Sequence, residues 1–122
     1  MIKLEHRKRL TNGREVYYLS KEASEVVDYE DLVSEMESES TVTRHDIKAV
    51  VSALEEWLVR FMLEGYSVRL GDLGTFRCSV QSEAQASAEA VTASTIRGVK
   101  VKFDPSARLR RAVGEARFEM GD

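Results

Sequence analysis

Arg69, Arg77, Lys100 and Lys102 recur at alternate positions of three β-prone segments, and side chains two apart on a strand emerge on the same face. Four cations on one sheet face, with no acid among those strand positions, suit anionic oxygens such as phosphates. Arg97 precedes Lys100, and Arg108, Arg110 and Arg111 follow in a short segment after Pro105, so this end of the chain concentrates positive charge. Other chemistry is poorly provided for. Cys78 is the single cysteine, sits on the apolar side of its strand and has no His or Lys beside it to activate a thiolate. His6 and His45 are far apart and lack acids at ligand spacing. The carboxylates between Glu22 and Glu39 fall in no pattern that would separate a general acid from a base. No phosphate-cradling glycine loop or nucleophile elbow occurs. The chain therefore reads as a non-enzyme, with no catalytic residues, no metal site and no cofactor.

The elements that must position these cations follow from local patterning. Residues 1–20 read as a β-hairpin: Ile2 and Leu4 alternate with Lys3 and Glu5, Val16 to Leu19 is β-prone, and Asn12-Gly13 supplies the positive φ angles of a type I′ turn. Asp28 caps a short helix with Leu32, Val33 and Met36 on one stripe. Thr43 caps a second helix, with Asp46 three residues on. Ile47, Val50, Val51, Leu54, Trp57, Leu58, Phe61 and Met62 then recur at spacings of three and four, the period of a wide apolar face. Gly65 ends that helix. Strands follow at Ser67–Leu70, Thr75–Val80 and Thr95–Phe103, with Val68, Leu70, Phe76, Val99, Val101 and Phe103 opposite the cations. Gln81 to Ser94, rich in Ala, Ser and Glu and free of Lys and Arg, is either a mobile loop or an extended β-ribbon. A short basic helix spans Ala107–Val113, and Arg117 to Met120 is a last short strand that could pair with the hairpin.

A helix as apolar as this one needs cover. Val50, Leu54, Trp57, Leu58, Phe61, Phe76 and Phe103 form the expected core of a homodimer, a second copy being the simplest partner. The alternative is that the N-terminal hairpin folds over this face within one chain. At 122 residues the chain is expected to form a hairpin extension at 1–20 and one further domain at 21–122. The net charge of −3 conceals segregation. Residues 1–18 hold five Lys/Arg against two Asp/Glu, 19–46 hold two against nine, and 95–111 hold six against one. With one cysteine, no signal peptide and no membrane-length apolar run, the expected location is the cytoplasm.

Three stretches together resemble the HU/IHF family of bacterial histone-like proteins across about residues 28–114. They are Val42-Thr43-Arg44-His45-Asp46, the corner Val68-Arg69-Leu70 with Leu73-Gly74-Thr75-Phe76, and Phe103-Asp104-Pro105 followed by Leu109, Arg110, Ala112 and Val113. The resemblance implies an α+β fold of two N-terminal helices, a three-stranded antiparallel sheet with a β-ribbon arm and a short C-terminal helix, here with an added hairpin. It also implies an intertwined dimer whose sheets form a saddle for duplex DNA. Arms in that family insert an apolar wedge, usually Pro, into the minor groove. This arm has no Pro and no cation, and Asp72 and Leu73 stand where the family corner usually has Gly and Phe. The function implied is non-specific, nucleoid-associated DNA binding by Arg69, Arg77, Arg97, Lys100, Lys102, Arg108, Arg110 and Arg111, with little arm-driven kinking. A protein-interaction or structural module that kept the dimer fold is the alternative. For the hairpin, three roles stand: extra strands that stabilise, an extended DNA footprint, or a dock for a protein partner.

Overall fold

Asn12 and Gly13 take φ angles of 51° and 76°, the pair of left-handed residues that a type I′ turn needs. They join β1 (Ile2–Thr11) to β2 (Arg14–Lys21). The computed structural model describes residues 1–121. After the hairpin come α1 (Tyr29–Ser38), α2 (Arg44–Leu63), β3 (Val68–Leu70), β4 (Gly74–Ser82), β5 (Ile96–Pro105), α3 (Ala107–Gly114) and β6 (Phe118–Met120). The strands form two separate sheets, in the orders β2-β1-β6 and β3-β4-β5. In the first, β6 runs parallel to β1, with Ile2 opposite Phe118 and Leu4 opposite Met120. The second is antiparallel throughout.

Local chemistry sets the helix ends. The Asp28 carboxylate accepts the Asp31 N–H at 2.9 Å, and the Thr43 hydroxyl accepts that of Asp46 at 3.3 Å, each satisfying an amide of the first turn. At the far end of α2, Gly65 has φ +86°. There the Tyr66 N–H reaches the Phe61 carbonyl and the Gly65 N–H reaches that of Met62, each at 3.0 Å, a Schellman cap that turns the chain toward β3.

The helices α1 and α2 pack against each other, and each gives one of the two buried aliphatic residues among those described, Val33 and Ile47. Ion pairs from Arg44 and Lys48 to Glu30 brace this crossing. Their hydrogen bonds, from Lys48 first and then Arg44, hold the Glu30 carboxyl below the ordinary carboxylate range. On the apolar side of the second sheet, the Phe76 and Phe103 rings pack with centres 4.8 Å apart and planes tilted by 47°. Gly74 fits beneath them: a Cβ there would lie 2.5 Å from the Asp104 carbonyl oxygen and 2.7 Å from the Phe103 ring.

Two elements depart from the sequence expectation. The third strand continues past Phe103 to Pro105, because Asp104 and Pro105 pair with Thr75 and Gly74. Beyond Ser82 there is no two-stranded arm. The segment closes through two short 3-10 turns at Ala88–Ala90 and Ala93–Thr95. Half-hidden hydroxyl bonds tie it shut, Ser82 to Thr95 at 3.0 Å and Thr95 to the Thr92 carbonyl at 2.7 Å. Ala, Ser and Glu offer no alternation to extend a ribbon, whereas Thr95 offers a local bond.

One chain leaves much apolar surface uncovered. Its accessible area is 10431 Å², against about 6,600 Å² for a compact monomer of this mass. Trp57 is 53% exposed, Val50 68% and Val101 70%, and Leu54, Phe61 and Phe103 are also open. Leu58 and Phe76 are partly covered. Between α2 and the sheet runs an apolar groove lined by Val59, Met62, Leu63, Cys78, Val99 and Val101.

Candidate nucleic-acid interface

Strand register decides which side chains share a face, because directly opposed residues point the same way. Arg69 faces Thr75, which faces Asp104; Arg77 faces Lys102; Ser79 faces Lys100. Arg69, Thr75, Arg77, Ser79, Lys100, Lys102 and Asp104 therefore line one side of β3-β4-β5. Val68, Phe76, Cys78, Val80, Val99, Val101 and Phe103 line the other. Cys78 is half-buried there, its thiol 3.8 Å from the Met62 carbonyl.

The acid on the cationic side corrects the expectation that the strand positions are free of carboxylates. Asp104 joins the face because β5 extends beyond Phe103, and Arg77 Nε donates to its Oδ2 at 2.6 Å. That hydrogen bond is the main reason the Asp104 carboxyl is held below its ordinary range, with the fields of Arg77, Arg110 and Lys102 adding to it. The same bond, with the charge of Asp104, raises Arg77. The face still holds four cations to one carboxylate. Among the described residues, Arg69, Lys100 and Lys102 make no ion pair, so their charge is available to a ligand.

The remaining predicted cations divide. Arg97 is the residue skipped where the register shifts between Gln81–Gly98 and Ser82–Ile96. It falls out of alternation with Lys100 and Lys102, and Glu83 holds its guanidinium at 3.1 Å. Arg108 is paired with Asp72 at 3.0 Å. Arg110 and Arg111 project from α3 without an ion pair among the described residues. The helix itself is seated on the corner by Ser106. Its hydroxyl donates to the Asp72 carbonyl at 2.5 Å and accepts the Leu109 N–H at 3.0 Å. Thr75 and Ser79, which alternation also places on the cationic side, add two hydroxyls able to bond phosphate oxygens; their strand parity alone was signal enough to include them.

The face is cationic, and its one carboxylate, Asp104, is held by Arg77. Among the described residues no cluster of His, Cys, Asp and Glu could hold a metal ion, and no helix is long and apolar enough to cross a membrane.

Residues 2–120 match the family described as an HU domain fused to a wHTH, Ig or glycine-rich motif. The fold is similar to the crystal structure of a candidate bacterial DNA-binding protein from Bacteroides vulgatus ATCC 8482, with a TM-score of 0.69 and 19% identity. The alignment covers 98% of this chain and 48% of that one, so the chain spans about half the length of its structural neighbour. At that identity the likeness concerns the fold. No curated protein sequence matches the chain.

Proposed function

The chain belongs to the family of HU domains fused to a wHTH, Ig or glycine-rich motif, and from that premise we propose that it binds duplex DNA without sequence preference through the cationic face of β3-β4-β5. The observation that carries this reading is the register placing Arg69, Arg77, Lys100 and Lys102 on one sheet face. Arg110 and Arg111 on α3 extend it, while Arg97 and Arg108 contribute only by leaving Glu83 and Asp72. Lys and Arg beside phosphates release condensed counterions, so affinity falls with salt. Contacts to the backbone position a protein without reading bases, hence the lack of sequence preference.

The functional unit in this reading is a homodimer. What supports it is the surplus of exposed area, with Val50, Leu54, Trp57, Phe61 and Phe103 uncovered in one chain. Two subunits joined through these faces would present two cationic floors side by side as a saddle. Its action is to sit on the duplex rather than to kink it, because the segment 83–95 carries no cation and no Pro. This role belongs to the bacterial nucleoid in the cytoplasm.

A fluorescent duplex titrated by anisotropy across a salt series tests the proposal. With three or four phosphate contacts per subunit, the log–log slope is expected near about −5 to −7. Lys100→Glu/Lys102→Glu should weaken binding by at least about 100-fold. A flat salt response, or a double variant that binds as well as the wild type, would defeat it.

A second reading is supported by the carboxylates that engage three of the eight predicted cations, Asp104 with Arg77, Glu83 with Arg97 and Asp72 with Arg108. In that reading the protein keeps the dimeric fold as a protein-interaction module with weak DNA affinity. The flat salt response is its signature.

A further inference from the structure

The β2-β1-β6 sheet has two chemically distinct sides, visible only once its register is known. Opposed pairs are Leu4–Lys21, His6–Leu19, Lys8–Tyr17 and Leu10–Glu15 on one side, with Ile2–Phe118 and Leu4–Met120 continuing it. This side is mostly apolar. The other side carries Lys3, Glu5, Arg7, Arg9 and Thr11 from β1, Arg14, Val16, Tyr18 and Ser20 from β2, and Glu119 from β6. Its acids lie toward the end remote from the turn, where Glu5 is already held by Arg7 at 2.8 Å. Toward the turn it presents Arg7, Arg9 and Arg14 with no other acid. Lys3, Arg9 and Arg14 form no ion pair among the described residues. Arg9 stacks over the Tyr18 ring, 5.4 Å from its centre, which fixes the guanidinium plane while leaving its N–H edges free for anionic oxygens.

We infer that this outer face of the N-terminal sheet is a second phosphate-contacting surface, formed by Arg7, Arg9 and Arg14 with Lys3 behind them, on a sheet that shares no strand with the β3-β4-β5 floor. The inference rests on the reading of the protein as a duplex-DNA binder and adds a surface to it. Side chains at positions 7 and 9 stand about 7 Å apart along the strand, and Arg14 closes the cluster from the opposite strand at the turn. A row of separated cations on an extended ribbon suits the regularly spaced charges of a nucleic-acid backbone. The apolar side of the same sheet leaves Leu10 and Tyr17 at 73% and 70% exposure.

The test uses the full chain and a fluorescein-labelled 40-bp duplex of arbitrary sequence, with anisotropy read from about 50 to 300 mM NaCl, a range over which such contacts are screened. Three variants are compared with the wild type: Arg9→Glu/Arg14→Glu, Arg9→Lys/Arg14→Lys and Lys100→Glu/Lys102→Glu. The charge-reversed hairpin should bind at least about tenfold more weakly. Its salt slope should be smaller in magnitude by about 2 to 4, at roughly 0.9 per lost phosphate contact in a dimer. The lysine pair should keep the wild-type slope with an affinity loss under about threefold. Wild-type affinity and slope in Arg9→Glu/Arg14→Glu would overturn the inference, and so would a lysine variant that loses as much as the reversed one, since that marks a structural role. If the hairpin reversal is silent while Lys100→Glu/Lys102→Glu abolishes binding, the floor stands and the second surface falls. If only the hairpin reversal weakens binding, the second surface stands and the floor falls. A wild type with no salt-dependent binding removes both.

Discussion

The two three-stranded sheets are built alike and completed differently. Each has one cationic and one apolar side set by strand alternation. The apolar side of β3-β4-β5 has a helix to pack on and a Phe76–Phe103 ring pair in contact, whereas Tyr17, Leu19, Phe118 and Met120 of β2-β1-β6 lie open. Alternation is thus enough to make a surface with two characters, but tertiary cover decides which sheet is anchored. Even the anchored sheet is only half covered within one chain, since Val99 and Val101 remain exposed.

The largest effect should come from the cover itself. If a second copy completes the β3-β4-β5 side, light scattering will give about twice 13.8 kDa for the wild type. Trp57→Ala or Phe61→Ala will then shift the protein toward monomer by about 3 kcal/mol or more of association free energy. A wild-type mass of 13.8 kDa at micromolar concentration would break the comparison at its root. Next comes Gly74→Ala, whose new methyl group meets backbone and ring at the corner. A loss of about 3 kcal/mol is expected in chemical denaturation, and amide exchange should accelerate across β3, β4 and β5.

Gly13→Ala sharpens the contrast from the other side. Alanine at φ +76° costs about 1 kcal/mol. Exchange should quicken in β1 and β2 while β4 and β5 keep their protection; equal acceleration in both sheets would show that they unfold as one unit.

The smallest effect concerns the helix crossing shared by neither sheet. Glu30 is held below its ordinary range by Lys48 and Arg44, so the carboxylate form is the one favoured by folding. Its contribution is complete above the unfolded-chain carboxylate pKa and disappears as pH falls through the lower folded value. The melting-temperature difference between wild type and Glu30→Gln should therefore be visible near neutrality and vanish in acid. A difference that grows on acidification would contradict the pairing.

Much of this architecture was legible because its causes are local. Thr43 before Asp46, Asn12-Gly13 and the three-and-four spacing from Ile47 to Met62 each act within a few residues, and the helix ends and hairpin fall where those signals lie. Parity was equally readable, since Arg69, Arg77, Lys100 and Lys102 need only two-residue alternation to share a side. Asp104 was not. Whether it stops a strand or joins the cationic face depends on its pairing with Thr75, 29 positions earlier in the chain. The loop after Ser82 had no period to read, and hydroxyl bonds to Thr95 settle its shape. The two sides of the hairpin sheet were implicit in the turn, but assigning them required the register that the turn imposes.

The pairing of β6 with β1 brings Phe118 against Ile2, nearly the full length of the chain apart. During synthesis β1 thus waits for a segment 116 residues further along the chain before its sheet is whole. Bridging so long a stretch is entropically slow. The hairpin should form early as a two-stranded ribbon and gain its third strand only in the final phase of folding, a delay that refolding kinetics can time.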